Sequence, residues 1–155
     1  MAEPRFGIGF DAHPSDPGRP LLLGGVAFEG PGLAGHSDGD VICHALADAL
    51  LGAAALGDIG DHFPDTDPVV AGIAGPELLR RTVELLRGAG LTARSCDLVV
   101  LAERPRLGPR RDEIRGSLAA VLGIGVERVS VKASRPEGLG LSGDGVGCLA
   151  LAVVA

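Results

Sequence analysis

The hydrophobic residues of the chain fall into short clusters separated by turn-forming residues. Five clusters are brief, dense in Val, Leu, Ile or Phe, and bounded by glycine, proline or aspartate, a pattern that predicts β-strands. These predicted strands cover residues 5–10, 21–28, 95–102, 126–133 and 147–154. The first two are separated by the turn-rich segment 14–20, PSDPGRP.

Three longer segments carry apolar residues at helical spacing. The first, residues 41–55, is rich in Ala and Leu and follows Ser37, which together with Asp40 resembles a capping box. The second helix is predicted to begin at Gly75-Pro76 and to end near Gly88, and the third covers residues 109–123.

The segment between the first two helices, residues 57–68, contains so many turn formers that it predicts a loop. The resulting order, β-β-α-α-β-α-β-β, predicts an α+β fold in which three helices cover one face of a β-sheet. Neither a repeat nor a low-complexity tract divides the chain, so residues 1–155 are expected to form one domain.

Composition limits the classes of partner. The chain has 155 residues, a net charge of −6 and only 3% aromatic residues, with no Trp or Tyr. This argues against nucleic acid or an anionic membrane as the main partner. The N-terminus lacks the pattern of a signal peptide, and no apolar run approaches the ~20 residues of a membrane span, so a soluble cytoplasmic protein is expected.

The three cysteines, Cys43, Cys96 and Cys148, are odd in number, widely spaced and set in apolar segments. This pattern predicts buried, reduced thiols rather than disulfides or a metal knuckle.

Three residues form a candidate metal site. In Asp11-x-His13, alternation along an extended chain would point both side chains to the same side. His44 lies between Asp40 and Asp48 at helical spacing on an otherwise apolar segment, and one oxygen with two imidazole nitrogens would leave the fourth position of a zinc site open. Asp40 or Asp48 could orient an imidazole. The alternative interpretation involves no metal. Asp11 would then cap a turn, and Asp40, His44 and Asp48 would form a solvated polar stripe on the helix.

Several residues are candidates for binding an anion. His36 and Ser37 would lie at the N-terminus of the first predicted helix, where backbone N–H groups attract phosphate, although Ser37 could be only a cap. The glycine-rich segment 137–147 would let the backbone approach a ligand. Cationic candidates are Arg104, Arg106, Lys132 and Arg135, which could equally be ordinary surface charges.

The motifs around these residues resemble those of the 2-C-methyl-D-erythritol 2,4-cyclodiphosphate synthase family of the non-mevalonate isoprenoid pathway. Residues 9–13 (GFDAH) are similar to its first ligand motif, and residues 35–40 (GHSDGD) with His44 and Asp48 to its second. The similarity continues through residues 45–68 and extends, less evenly, over the whole chain.

The resemblance implies a homotrimer with an active site at each subunit interface and a phosphorus-oxygen lyase activity. The substrate would be 4-diphosphocytidyl-2-C-methyl-D-erythritol 2-phosphate, which is cyclised with release of CMP. Asp11, His13 and His44 would hold zinc, or manganese or cobalt in its place. Glu137 would hold a second ion, magnesium or manganese, that bridges the substrate phosphates.

The resemblance also implies roles for individual residues. His36 would be catalytic, and so would Arg135, which stands where the family usually has a threonine near the reacting phosphorus. The implied substrate-binding residues are Asp11, His13, His36, Ser37, Asp48, Asp58, Ile59, Gly60, Phe63, Pro64, Asp65, Thr66, Asp67, Ala102, Arg106, Leu107, Ser134, Arg135, Pro136, Glu137 and Leu141. Two alternatives stay open, a catalytically impaired metal- and nucleotide-binding trimer and a zinc-dependent phosphohydrolase.

Overall fold

A computed structural model describes residues 2–141 and 143–155. Its strands are β1 (Arg5–Asp16), β2 (Leu21–Leu23), β3 (Val26–Phe28), β4 (Gly32–Leu33), β5 (Ala93–Leu101), β6 (Val129–Ser134) and β7 (Gly145–Val154). Its α-helices are α1 (Val41–Ala53), α2 (Ile59–His62), α3 (Gly75–Gly88) and α4 (Arg111–Leu122).

The main sheet is mixed, with strand order β4-β1-β7-β5-β6. Strands β1 and β7 pair antiparallel along almost their whole length, and β5 pairs antiparallel with β7 and parallel with β6. Helix α4 provides the crossover between the two parallel strands, β5 and β6. The predicted single-domain α+β fold is therefore confirmed in class.

Helix α1 forms the centre of the core because it lies unusually close to the sheet. It crosses β1 at Gly7 and Gly9, and a Cβ atom built on either glycine would lie only 2.0 Å from a backbone oxygen of the helix. Nearly every residue of α1 is buried, His44 included. The sequence of small residues in β1 and α1 thus brings the backbone of a strand and a helix into direct contact.

The opposite face of the sheet is apolar but exposed. Phe6, Ile8 and Phe10 of β1 are 67%, 74% and 55% exposed, and Leu149 and Leu151 of β7 lie beside them. The helices cover only one face of the sheet, as the element order predicted.

Some elements differ from those predicted. Residues 21–28 form the two strands of a hairpin, because Gly24 and Gly25 both adopt positive φ (62° and 78°) and make a tight turn between them. Within the predicted loop 57–68, Asp58 and Asp61 form a reciprocal capping box that supports α2. Strand β1 also continues past the predicted end, through Asp11 and His13.

Cys43, Cys96 and Cys148 are free and buried, as predicted. Burial raises the pKa of each thiol, in Cys96 to about 12. Among the described residues, no helix combines the length and the apolar character that crossing a membrane requires.

Candidate metal centre

Asp11, His13 and His44 come together as predicted, on the helix-covered side of the sheet. Asp11 and His13 alternate with exposed residues in β1, so both side chains point toward α1, which contributes His44. One potential ligand atom from each residue lies within 4.8 Å of the others. The close contact between β1 and α1 is what allows these side chains to meet.

The carboxylate of Asp11 stands between the two imidazoles. Its Oδ2 atom lies 2.9 Å from Nε2 of His13 and 3.1 Å from Nδ1 of His44. The contact to His13 does not have the alignment of a hydrogen bond, and this buried nitrogen has no other partner among the described residues. A buried, unpaired imidazole nitrogen beside a carboxylate fits a divalent cation such as zinc.

The electrostatics of the three side chains favour cation binding. Burial alone would raise the pKa of Asp11, but the two imidazoles lower it to about 2, so the group is a carboxylate at neutral pH. Burial likewise opposes protonation of His44, yet the hydrogen bond and charge of Asp11 raise its pKa above the ordinary 6.5. The site without metal therefore attracts positive charge, which a proton or a metal ion can supply.

Ser37 orients His44 within this centre. The Oγ atom of Ser37 lies 3.0 Å from Nε2 of His44, and the Nδ1 atom of the same ring faces Asp11. If Nε2–H donates to Ser37, Nδ1 is left with its lone pair toward the metal position. The sequence predicted this orienting role for Asp40 or Asp48, and that prediction is wrong.

Asp40 has a different function, as the N-cap of α1. The predicted capping box with Ser37 as the cap is therefore wrong, and neither His36 nor Ser37 lies at the helix N-terminus. The fully buried carboxylate accepts hydrogen bonds from the backbone N–H groups of Gly24, Gly25 and Cys43. It joins the β2–β3 hairpin to the start of α1 by accepting from two buried N–H groups and one that is partly buried.

Asp48 also bonds to backbone rather than to an imidazole. It accepts a hydrogen bond of 2.8 Å from the N–H of Ile59 and so attaches α2 to α1. Burial raises the pKa of Asp48. The contact fixes the start of α2, whose Ile59 is one of the residues around the metal centre.

A cavity of about 160 Å³ opens at the metal centre. Besides the three ligand candidates, predicted site residues that line it are His36, Ser37, Ile59, Phe63 and Asp65. Asp58, Gly60, Pro64, Thr66 and Asp67 belong to the same segment but do not line this cavity. Asp58 caps α2 and Asp67 caps the short turn Pro68–Val70.

A second cavity of about 1140 Å³ lies at the end of the sheet where β1 passes Ser15. It is lined by Arg104, Arg106 and Arg135, and by the acidic residues Glu29, Glu103 and Asp144. Of the acidic residues, Asp144 belongs to the predicted glycine-rich segment 137–147, whereas Glu29 and Glu103 were not predicted as part of a site. These two come from parts of the chain far apart in sequence, so no local pattern indicated that they meet.

The remaining predicted residues lie outside both cavities. Ala102, Leu107 and Pro136 are buried, whereas Ser134, Glu137 and Leu141 are exposed and line neither cavity. Glu137 has a positive φ of 53° in the turn after β6. Lys132 pairs with Asp97 at 2.6 Å, away from both cavities, which supports the interpretation of this lysine as a surface charge.

Comparisons with known proteins identify the family of the chain. The model of the YgbB family matches residues 4–155. The 2-C-methyl-D-erythritol 2,4-cyclodiphosphate synthase of Symbiobacterium thermophilum is 51% identical over 153 residues, which are 97% of this chain and 98% of that protein. The bifunctional enzyme IspD/IspF of an Anaeromyxobacter species is 49% identical over 148 residues. This match covers 96% of the chain but only 38% of the bifunctional relative, so the chain spans about two fifths of its length.

A solved structure supports the same relationship. The CDP-bound form of a 2C-methyl-D-erythritol-2,4-cyclodiphosphate synthase matches with a TM-score of 0.90 at 39% identity, over 97% of this chain and 100% of that one. With the family model matching nearly from end to end, the resemblance inferred from the motifs is confirmed. The chain belongs to the YgbB family, which includes the 2-C-methyl-D-erythritol 2,4-cyclodiphosphate synthases.

Proposed function

We propose that the chain converts 4-diphosphocytidyl-2-C-methyl-D-erythritol 2-phosphate into 2-C-methyl-D-erythritol 2,4-cyclodiphosphate and CMP, as a metal-dependent phosphorus-oxygen lyase. The observation that carries the proposal is the cluster of Asp11, His13 and His44 beside an open cavity. A relative named for this cyclase activity matches over nearly the whole chain.

Asp11, His13 and His44 are the proposed holders of zinc, and their donor set also accepts manganese or cobalt. When bound, the metal supplies Lewis-acid polarisation of a phosphate oxygen. The nucleophile is a phosphate that is already ionised, so the protein needs no strong general base. Its residues must instead hold the 2-phosphate in line with the β-phosphorus and neutralise charge.

The residues around the cavity are suited to this task. His36 is exposed at the cavity and can donate a hydrogen bond to a phosphoryl oxygen as charge develops. Phe63 and Asp65, from the segment after α2, also line the cavity and are proposed to contact the methylerythritol part, together with Asp58, Gly60 and Asp67.

We assign the cytidylyl diphosphate to the cavity that contains three arginines. A relative has been solved with CDP, and Arg104, Arg106 and Arg135 provide planar donors for phosphate oxygens. Magnesium or manganese held by Glu137 would balance the remaining phosphate charge. Arg135 is proposed to act on the reacting phosphoryl group.

We further propose that the protein is a homotrimer. The exposed residues Phe6, Ile8 and Phe10 form an apolar face with Leu149 and Leu151 on the adjacent strand. A monomer rarely leaves such a face in water, and burial against two copies of the same face would stabilise a three-fold assembly. Sedimentation equilibrium should give three times the mass of the chain.

Phosphorus NMR tests the reaction directly. The protein is incubated with the cytidylyl substrate, zinc and magnesium, and the expected products are the cyclic diphosphate and CMP. Linear hydrolysis products would indicate a phosphohydrolase, and an unchanged substrate would indicate a binding protein without turnover. The metal-depleted variant His44→Ala should be inactive, since it lacks one of the ligands.

A further inference from the structure

Arg19 bonds to the chain segment that contacts the metal centre, although it belongs to no predicted motif. It is half-buried in the turn after β1, where its own N–H donates to the carbonyl of Asp16 at 3.2 Å. Its carbonyl accepts a hydrogen bond of 2.9 Å from the N–H of Gly32 in β4. The backbone of Arg19 is thus attached on both sides, so its side chain extends from a fixed point.

The guanidinium of Arg19 bonds to two carbonyl groups that flank His36. Nη1 donates to the carbonyl of Gly35 at 2.8 Å, and Nη2 donates to the carbonyl of Ser37. The carbonyl of His36 itself accepts a hydrogen bond of 3.0 Å from the N–H of Gly72. Three successive carbonyl groups are therefore held, two of them by one side chain.

The segment held in this way contacts two of the metal-ligand candidates. The Oγ atom of Ser37 lies 3.0 Å from Nε2 of His44. Gly35 packs against the ring of His13, since a Cβ atom added to this glycine would lie 3.2 Å from Cε1 of that ring. Displacing the segment would therefore disturb its contacts with both imidazoles, and it would also move His36, which lies between Gly35 and Ser37 in the chain.

We propose that Arg19 is a positioning residue for the metal centre, acting through the segment of residues 35–37. Its effect on catalysis rests on the proposed cyclase function, whereas its effect on metal binding does not. The planar fork of an arginine can donate to two carbonyl groups two residues apart in the chain. The single ammonium of a lysine cannot occupy both positions with the same geometry.

Arg115 offers a matched control. It is also half-buried, and it also donates to two backbone carbonyl groups, those of Val129 at 2.8 Å and Val126 at 2.9 Å. It lies on α4, and it contributes neither to the metal centre nor to the two cavities described above. Replacing Arg115 removes the same kind of clamp, together with an exposed ion pair to Asp112 at 3.0 Å, from a part of the fold outside the metal centre.

The test compares Arg19→Met, Arg19→Lys and Arg115→Met with the unmodified protein. Zinc affinity is measured by competition with a chromophoric chelator, and the visible absorption of bound cobalt reports ligand geometry. Turnover is measured as kcat and KM, and thermal unfolding reports stability.

Arg19→Met should bind zinc about tenfold or more weakly, since loss of a group that orients a ligand typically costs about 10–100-fold. Its cobalt spectrum should change and its kcat should fall more than its KM changes. Arg19→Lys should lie between Arg19→Met and the unmodified protein. Arg115→Met should unfold at a lower temperature but keep the zinc affinity, cobalt spectrum and kcat of the unmodified protein.

The proposal is overturned if a folded Arg19→Met protein keeps the original zinc affinity and cobalt spectrum, or if Arg115→Met loses zinc affinity by the same factor. Should Arg19→Met fail to fold, an unchanged cobalt spectrum in Arg19→Lys overturns it as well. If the unmodified protein forms no cyclic diphosphate, the proposed function fails, and the zinc and cobalt measurements still decide the role of Arg19.

Discussion

Replacing Gly9 by alanine should damage both the fold and the metal centre. Gly9 lies in β1 at its contact with α1, two residues before Asp11. A Cβ atom at this position would lie 2.0 Å from the carbonyl oxygen of Ala45 and 2.7 Å from the backbone nitrogen of Ala49. Both neighbours are backbone atoms of α1, so the clash cannot be relieved by rotating a side chain.

The expected loss of stability can be worked out from how far β1 and α1 must move apart. Separations below 3.0 Å are essentially never observed for real Cβ atoms, so strand and helix must separate by about 1 Å. Overpacking of this kind costs about 1–3 kcal/mol, or more where the backbone itself must move. At about 2–4 °C per kcal/mol for a chain of this size, the unfolding midpoint should fall by several degrees.

The same displacement would move His44 away from Asp11. Metal–ligand distances tolerate only about 0.2 Å, so a shift of about 1 Å should weaken zinc binding by at least tenfold.

Gly52, in the same helix, is the matched control. A Cβ atom there would have only the carbonyl oxygen of Ile8 nearby, at 3.8 Å, so alanine fits without strain. Since alanine favours the helical backbone over glycine, Gly52→Ala should stabilise the protein by roughly 0.5–1 kcal/mol.

Guanidinium unfolding at one fixed protein concentration and a zinc titration are sufficient to compare the two variants. Gly9→Ala should lower the free energy of unfolding, and Gly52→Ala should raise it. Wild-type stability and zinc affinity in Gly9→Ala would refute the close-contact argument, and so would equal destabilisation by both substitutions.

Three further predictions concern other buried groups. Asp40→Ala leaves three backbone N–H groups without their acceptor, so it should lower the free energy of unfolding by about 3 kcal/mol or more, measured by denaturant titration; a loss below about 1 kcal/mol would contradict this. Zinc affinity should fall as pH decreases through the raised pKa of His44, by about tenfold per pH unit, because the protonated imidazole cannot bind metal; calorimetry that shows no proton release near neutral pH would argue against it. The native protein should resist a thiol reagent and expose three reactive cysteines once unfolded, whereas rapid modification of the folded protein would show that its thiols are accessible.

Much of the fold could be predicted because its signals are local. The long helices α1 and α3 and the strands β1, β5, β6 and β7 of the main sheet follow from apolar periodicity and from the glycines and prolines at their ends, whereas the two-residue strand β4 was not predicted. Short elements were missed where a special turn decides the structure. Gly24 and Gly25 divide one predicted strand into a hairpin, and the reciprocal bonds of Asp58 and Asp61 convert part of a predicted loop into α2.

The metal centre could be predicted from the sequence only in part. Asp11, His13 and His44 could be identified because alternation in a strand and spacing in a helix determine which side chains share a face. The group that orients His44 could not be identified in this way, because Ser37 lies in neither a strand nor a helix and reaches the ring through the tertiary fold, in which the preceding strand β4 pairs with the end of β1. The carboxylates of Asp40 and Asp48 have the right spacing for that role, yet backbone N–H groups already bond to them. Unpaired backbone donors therefore compete with a metal centre for the nearest carboxylates, and spacing alone does not show which of the two each carboxylate serves.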